Sequence, residues 1–144
     1  MSVNTQIGTV VDEVCPVYPD PGYREKQRQT IIELVKGIRN DDIDVVLLNA
    51  PTGSGKSINL YTAMKVVGES SFFTTPLNTL VDQIDNDEFI DDVITLKGRN
   101  NYDCIHPDDR GTPVDEAICN RQSGFDCDWR GECEYYGRKS SALG

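Results

Sequence analysis

Apolar residues recur along this chain with two different periods. Between Tyr23 and about Gly37, Ile31, Leu34, Val35 and Ile38 fall at i, i+3, i+4 and i+7, which is one face of an amphipathic helix. Leu60, Met64 and Val67 mark the buried face of a second helix that opens near Lys56 and ends near Gly68. After Pro76, a residue suited to a helix start, Leu77, Leu80, Val81 and Ile84 repeat the first pattern. Three shorter apolar runs do not follow the helical period: Val45-Val46-Leu47-Leu48 within residues 44–49, Phe72-Phe73-Thr74-Thr75, and Val93-Ile94-Thr95-Leu96. Their length suits buried strands. Strand, helix and strand in this order predict a βαβ unit with a right-handed crossover, so the expected fold class is α/β, with parallel strands and crossover helices. Residues 1–22, with Pro16, Pro19, Pro21 and Gly22, carry little periodicity and are expected to form an irregular lead-in.

The loop between the first expected strand and the helix at Lys56 reads Ala50-Pro51-Thr52-Gly53-Ser54-Gly55-Lys56-Ser57. Glycines at 53 and 55 let consecutive amides turn toward one centre, and a helix opening behind them adds its positive end, so the loop is built to hold phosphate. Lys56 is expected to reach the β- and γ-phosphates of ATP, and the Ser57 hydroxyl to take one position on Mg²⁺; Thr52, Gly53, Ser54 and Gly55 supply the cradle. The strict motif wants glycine at position 50, where this chain has alanine.

Charge changes the picture. The 144 residues hold 24 Asp and Glu against 14 Lys and Arg, a net charge of −10. Affinity for nucleic acid comes largely from Lys and Arg, so any such contact must be local. An Asp-rich acidic surface also resembles proteins of salt-loving microbes, where molar salt shrinks the Debye length to about 3 Å and makes self-repulsion tolerable. No apolar stretch approaches the ~20 residues of a membrane span and the start lacks a signal peptide, so a cytoplasmic protein without a membrane partner is expected.

From Lys97 onward apolar runs vanish and four cysteines appear, Cys104, Cys119, Cys127 and Cys133, separated by 14, 7 and 5 residues, with Cys15 far away. Thiols clustered in a cytoplasmic segment with a poor core favour metal over disulfide. Paired C-x-x-C knuckles of the zinc-ribbon kind are absent, and four cysteines also suit an iron-sulfur cluster; zinc, iron-sulfur and unligated thiols all remain open on spacing alone.

Several stretches resemble one family. The phosphate loop with Ala50 resembles that of superfamily 2 helicases, and Tyr23-Arg24-x-x-Gln27 resembles their adenine-reading element. Thr75-Pro76-Leu77-Asn78-Thr79-Leu80-x-x-Gln83 resembles the motif that touches the single-strand backbone. Leu96-Lys97-Gly98-Arg99-Asn100-Asn101-Tyr102-Asp103-Cys104 looks like the entry to the iron-sulfur domain of the XPD and DinG helicases, and Cys127-x5-Cys133-Glu134-Tyr135-Tyr136 like its end. The resemblance implies a partial RecA-like motor domain at 23–96, an inserted iron-sulfur domain at 97–139, and a truncated tail at 140–144. It implies a DNA-repair type of ATP-dependent helicase unwinding 5′ to 3′ on single-stranded or forked DNA. Arg24 and Gln27 would hold the nucleotide, Lys56 and Ser57 would serve catalysis, and Cys104, Cys119, Cys127 and Cys133 would hold a 4Fe-4S cluster. Lys97, Arg99, Tyr102 and Asn78 would meet DNA, with Tyr102 a stacking residue. The chain departs from the family in stopping before an Asp-Glu-Ala-His box; Asp115-Glu116-Ala117-Ile118 resembles one only superficially, since Gly111, Thr112 and Pro113 precede it where a strand is required. The chain is therefore expected to be an N-terminal fragment or a naturally short relative, inactive alone. Two other readings stand beside it, a non-catalytic ATP- and DNA-binding module that needs a partner chain and a zinc-stabilised regulatory domain.

Overall fold

The computed structural model describes residues 3–90 and 92–143; the first two residues of the expected lead-in and Gly144 of the expected tail lie outside them. Among the described residues six α-helices follow one another: α1 Val3–Val14, α2 Gln27–Ile38, α3 Lys56–Val67, α4 Asn78–Asp85, α5 Ile118–Arg121 and α6 Glu134–Leu143, with 3₁₀ turns at Arg99–Asn101 and Pro107–Asp109. The chain divides into two units, one of Met1–Thr74 with Glu88–Ile90, the other of Thr75–Asp87 with Asp91–Gly144.

The expected α/β fold, a partial RecA-like sheet of parallel strands, is corrected by this architecture. Among the described residues there is no β-strand, and pairing is limited to an isolated antiparallel bridge between Asp103 and Pro113. Residues 44–49, 72–75 and 93–96 have no ladder partner, and side chains that a sheet would bury stand in solvent, Leu47 at 89 % and Phe72 at 78 % exposure. An apolar run reports a demand for burial and not which neighbour supplies the ladder hydrogen bonds; without that neighbour no strand forms.

In the first unit α1, α2 and α3 pack on one another pairwise. α1 occupies much of the expected lead-in: Ile7, Val11 and Cys15 repeat every four residues and are buried, as are Ile31, Ile32, Leu34 and Val35 of α2. Ile38, expected on the same face, is exposed. α1 is tied to α2 by a bidentate pair, Arg28 Nε and Nη2 each donating to the Asp12 carboxylate at 2.7 Å, with the Tyr23 hydroxyl donating to Asp12 Oδ1 at 2.8 Å. The Arg28 hydrogen bond is the main cause that holds the Asp12 carboxyl below its ordinary value; burial, then the bond to Asp12, pushes the Tyr23 phenol up.

α3 opens at Lys56 and is capped at Gly68 in the left-handed region, as the pattern predicts, but it turns a different face inward. Ile58, Asn59, Thr62, Ala63 and Val66 are buried, while Leu60, Met64 and Val67 are half-buried. Asn59 Oδ1 and Thr62 Oγ1 are consequently buried without a partner.

The second unit is built differently. α4 buries no residue, with Leu77 and Leu80 exposed. The core mixes tyrosine rings with small apolar side chains and thiols: Tyr102, Val114, Cys133 and Tyr135 are buried, with Ile105, Cys119 and Tyr136 packed against them. Tyr102 and Tyr135 stand 5.6 Å apart and tilted, Tyr135 and Tyr136 5.1 Å apart and edge-to-face. Arg138 of α6 donates to Thr95 Oγ1 at 2.8 Å and to Asp85 at 3.3 Å, fastening α6 to the end of α4. Hydrogen bonds from Thr95 and then Arg138 hold the Asp85 carboxyl below its ordinary value. No helix among the described residues is long and apolar enough to cross a membrane.

Candidate functional site

Residues 50–57 form a loop that ends at the first turn of α3. Gly53 and Gly55 both lie in the left-handed region at φ +79, where an L side chain is strained, and Gly55 is the residue that caps α3. Asn59 N donates to Gly55 O at 2.9 Å, so the helix begins directly behind the glycine pair and turns its free first-turn amides toward the loop. The Lys56 ammonium folds back and donates to Ala50 O at 2.9 Å and Pro51 O at 2.8 Å. Thr52 and Ser57 are exposed at the rim, and Ser54 Oγ is buried without a partner.

Arg24 and Gln27, 29 and 28 residues before Gly53 and Gly55, close on this loop. The Arg24 guanidinium donates to Gly53 O, and Gln27 Nε2 lies 2.7 Å from the point a Cβ on Gly55 would occupy. Gln27 is only 4 % exposed, and its Oε1 accepts the Arg24 amide at 2.9 Å. Two short motifs that the sequence presents separately are therefore one piece of structure. The buried glutamine amide both stitches the segment at 24–27 together and backs the loop, and the Arg24 guanidinium is a positive charge beside it.

In the second unit Cys104, Cys127 and Cys133 are buried and Cys119 is half-buried. Burial pushes the Cys119 thiol up, the Cys104 sulfur pushes the same way, and so do Cys127 and Cys133, while a hydrogen bond from Tyr136 pulls it down. A thiolate on Cys119 would be opposed by each of the other three sulfurs. Among the described residues no three His, Cys, Asp or Glu side chains close to the spacing that holds a single metal ion. Thiols are soft donors of the kind that both zinc and iron-sulfur groups take. Cys15 is buried in the first unit.

The side chains expected at DNA are engaged within the second unit. Lys97 pairs with Asp82, Asn78 donates to Asn101 Oδ1 at 2.7 Å, and the Arg99 guanidinium bonds Asn120 and the Tyr135 hydroxyl while lying over the Tyr135 ring at 5.6 Å. Tyr102 is buried in the aromatic core and its hydroxyl accepts the Lys97 amide at 2.9 Å, so its ring faces Tyr135 and not solvent. The segment resembling an acidic box lies in a turn and the short α5, with Asp115 O accepting Asn120 Nδ2 at 2.6 Å. Sequence reasoning missed Asp109, whose carboxylate reaches both Ile118 N and Arg121, because a contact nine residues away in an irregular segment leaves no periodic signal. No family model, curated protein or solved structure matches the chain.

Proposed function

We propose that the chain is a nucleotide-binding, iron-sulfur part of an ATP-dependent DNA helicase of the XPD/DinG type, acting in the cytoplasm. The observation that carries the reading is the closure of Arg24 and Gln27 on the glycine loop, because a chance glycine turn has no reason to recruit both residues of a distant adenine-reading motif. Phosphate oxygens would draw the Lys56 ammonium away from the carbonyls of Ala50 and Pro51, and the exposed Ser57 hydroxyl would meet Mg²⁺. Cys104, Cys119, Cys127 and Cys133 would hold the cluster, which when bound cross-links the second unit. DNA would meet the basic positions of that unit, Arg99 and Lys97 among them, after their internal partners are exchanged for phosphates.

Titration of the chain with a fluorescent ATP analogue tests this. Saturable Mg²⁺-dependent binding is expected, and Lys56→Ala should weaken it about 10- to 100-fold, the worth of a hydrogen bond to a charged group. Absence of binding, or equal binding by Lys56→Ala, would overturn the reading. A second reading, a non-catalytic module that needs a partner chain, is favoured by one feature of the first unit: Val45, Leu47 and Phe72 leave an apolar surface uncovered. ATP binding without turnover, with turnover restored by a partner, would select it.

A further inference from the structure

We propose that Asp109 is a positioning residue for Cys119, holding the short turn that carries the one half-buried thiol of the four. The inference rests on the iron-sulfur reading above. Three of the four thiols are seated by backbone the unit needs in any case. Cys104 N donates to Thr112 O at 2.8 Å and its carbonyl accepts Gly111 N at 2.9 Å; Cys133 N donates to Trp129 O at 3.1 Å and its carbonyl accepts Gly137 N at 2.9 Å; the Cys127 carbonyl accepts Arg130 N at 3.0 Å. All three sulfurs are buried. Cys119 is half-buried and rides on α5, four residues long, far below the length at which a helix holds itself.

Asp109 supplies what α5 lacks. Its Oδ2 accepts the Ile118 amide at 2.7 Å and its Oδ1 pairs with Arg121 Nη2 at 2.9 Å. Ile118 stands immediately before Cys119 and Arg121 two residues after it, so one carboxylate grips the turn on both sides of the sulfur-bearing residue. The Asp109 side chain is only 12 % exposed, which keeps water from competing for the amide bond. Its own backbone is anchored, with Asp109 N donating to His106 O at 3.1 Å and Thr112 N donating to Asp109 O at 2.9 Å, in the same loop whose Thr112 carbonyl seats Cys104. Asp109 thereby sets the register of Cys119 against Cys104.

The test uses the whole chain purified without oxygen. Release of iron to excess chelator is followed optically, and alkylation of each cysteine in the metal-free chain is mapped by mass spectrometry. Asp109→Ala should release iron about 10- to 100-fold faster, the usual effect of losing a residue that orients a metal ligand. Asp109→Asn keeps an oxygen for the Ile118 amide and should recover most of the loss. In the metal-free chain Asp109→Ala should raise labelling of Cys119 alone. Parental release by Asp109→Ala, or an Asn variant as leaky as the Ala variant, would overturn the proposal. If Asp109→Ala does not fold, Asp109→Asn carries the test, since loss of the Arg121 pair alone should still raise Cys119 labelling selectively, and no rise refutes it. An iron-free, colourless parent chain would refute the iron-sulfur reading instead, and the labelling result would still decide the role of Asp109.

Discussion

Alanine at Gly53 and at Gly55 should have different consequences although the two glycines share a backbone conformation. Both lie at φ +79, so either substitution carries the left-handed strain of about 1–2 kcal/mol. A Cβ on Gly53 meets nothing within 4 Å, whereas one on Gly55 would stand 2.7 Å from Gln27 Nε2 and 3.5 Å from its Cδ. Gln27 has little room to retreat, being 4 % exposed with Oε1 bound to the Arg24 amide at 2.9 Å. Displacing it leaves a buried amide unsatisfied, a loss of about 1–3 kcal/mol. Gly53→Ala should therefore cost about 1–2 kcal/mol and Gly55→Ala about 2–5 kcal/mol, the latter a large share of an ordinary domain's ~5–15 kcal/mol. Urea unfolding followed by helical circular dichroism measures both. In a Gln27→Ala background the excess cost of Gly55→Ala should disappear, because the group it collides with is gone. Equal midpoints for the two glycine variants, or an excess that survives Gln27→Ala, would refute the claim that Gln27 backs the loop.

Acid should weaken the first unit through Asp12. Its carboxyl is held below the ordinary value by Arg28, so its stabilising contribution is complete above the unfolded value of about 4 and is lost as pH falls through the lower folded value. Asp12→Asn should flatten the acid limb of a plot of unfolding midpoint against pH, and an unchanged slope would contradict the assignment. Cys104→Ser should abolish iron binding while Cys15→Ser leaves about four irons per chain, read by elemental analysis; equal iron in both would defeat the ligand set. Arg99→Ala should weaken single-stranded DNA binding and reduce its salt slope by about 1, while unchanged binding at matched salt would leave Arg99 as only the partner of Tyr135 and Asn120.

The parts legible in the sequence were those that local chemistry decides. The start of α3 at Lys56, its stop at Gly68 and the glycine turn at 53–55 follow from backbone preferences that hold in any context. The buried face of α3 does not. Its sequence offers two candidate stripes, Leu60 with Met64 and Val67, and Ile58 with Asn59, Thr62, Ala63 and Val66, and the stripe turned inward includes the two polar residues. Pattern alone favours the more apolar stripe; packing among α1, α2 and α3 turned the other one in, because α1 was not foreseen and supplies a close neighbour. The small residues Ala63 and Thr62 permit that close approach, and the orphaned Asn59 Oδ1 and Thr62 Oγ1 are its cost. The expected sheet failed for a related reason. Val45, Leu47 and Phe72 ask for burial, but no periodicity names the partner that would provide it.

The cysteine segment poses the opposite problem, since its thiols belong both to the candidate ligand set and to the core. Cys133 is one of four buried members of the aromatic cluster, and Cys119 packs against it, so the sulfurs supply apolar burial that Tyr102, Val114 and Tyr135 alone would not complete. A scarcity of apolar residues after Lys97 therefore understates the core, because a free cysteine behaves as a small hydrophobe. It also means that serine at a ligand position removes a donor and buries a hydroxyl at once. Alanine at Cys133 removes the donor without adding a buried polar group, so comparing the two substitutions separates the metal's share of stability from the core's. Where the two variants unfold the unit equally, ligation dominates; where serine is the worse, packing does. The single-residue spacing of Glu134, Tyr135 and Tyr136 after Cys133 ties both roles together. It puts one ring in the core against Tyr102 and gives the next a hydroxyl that bonds the Cys119 thiol, so that α6 both closes the core and steadies a candidate ligand packed against it.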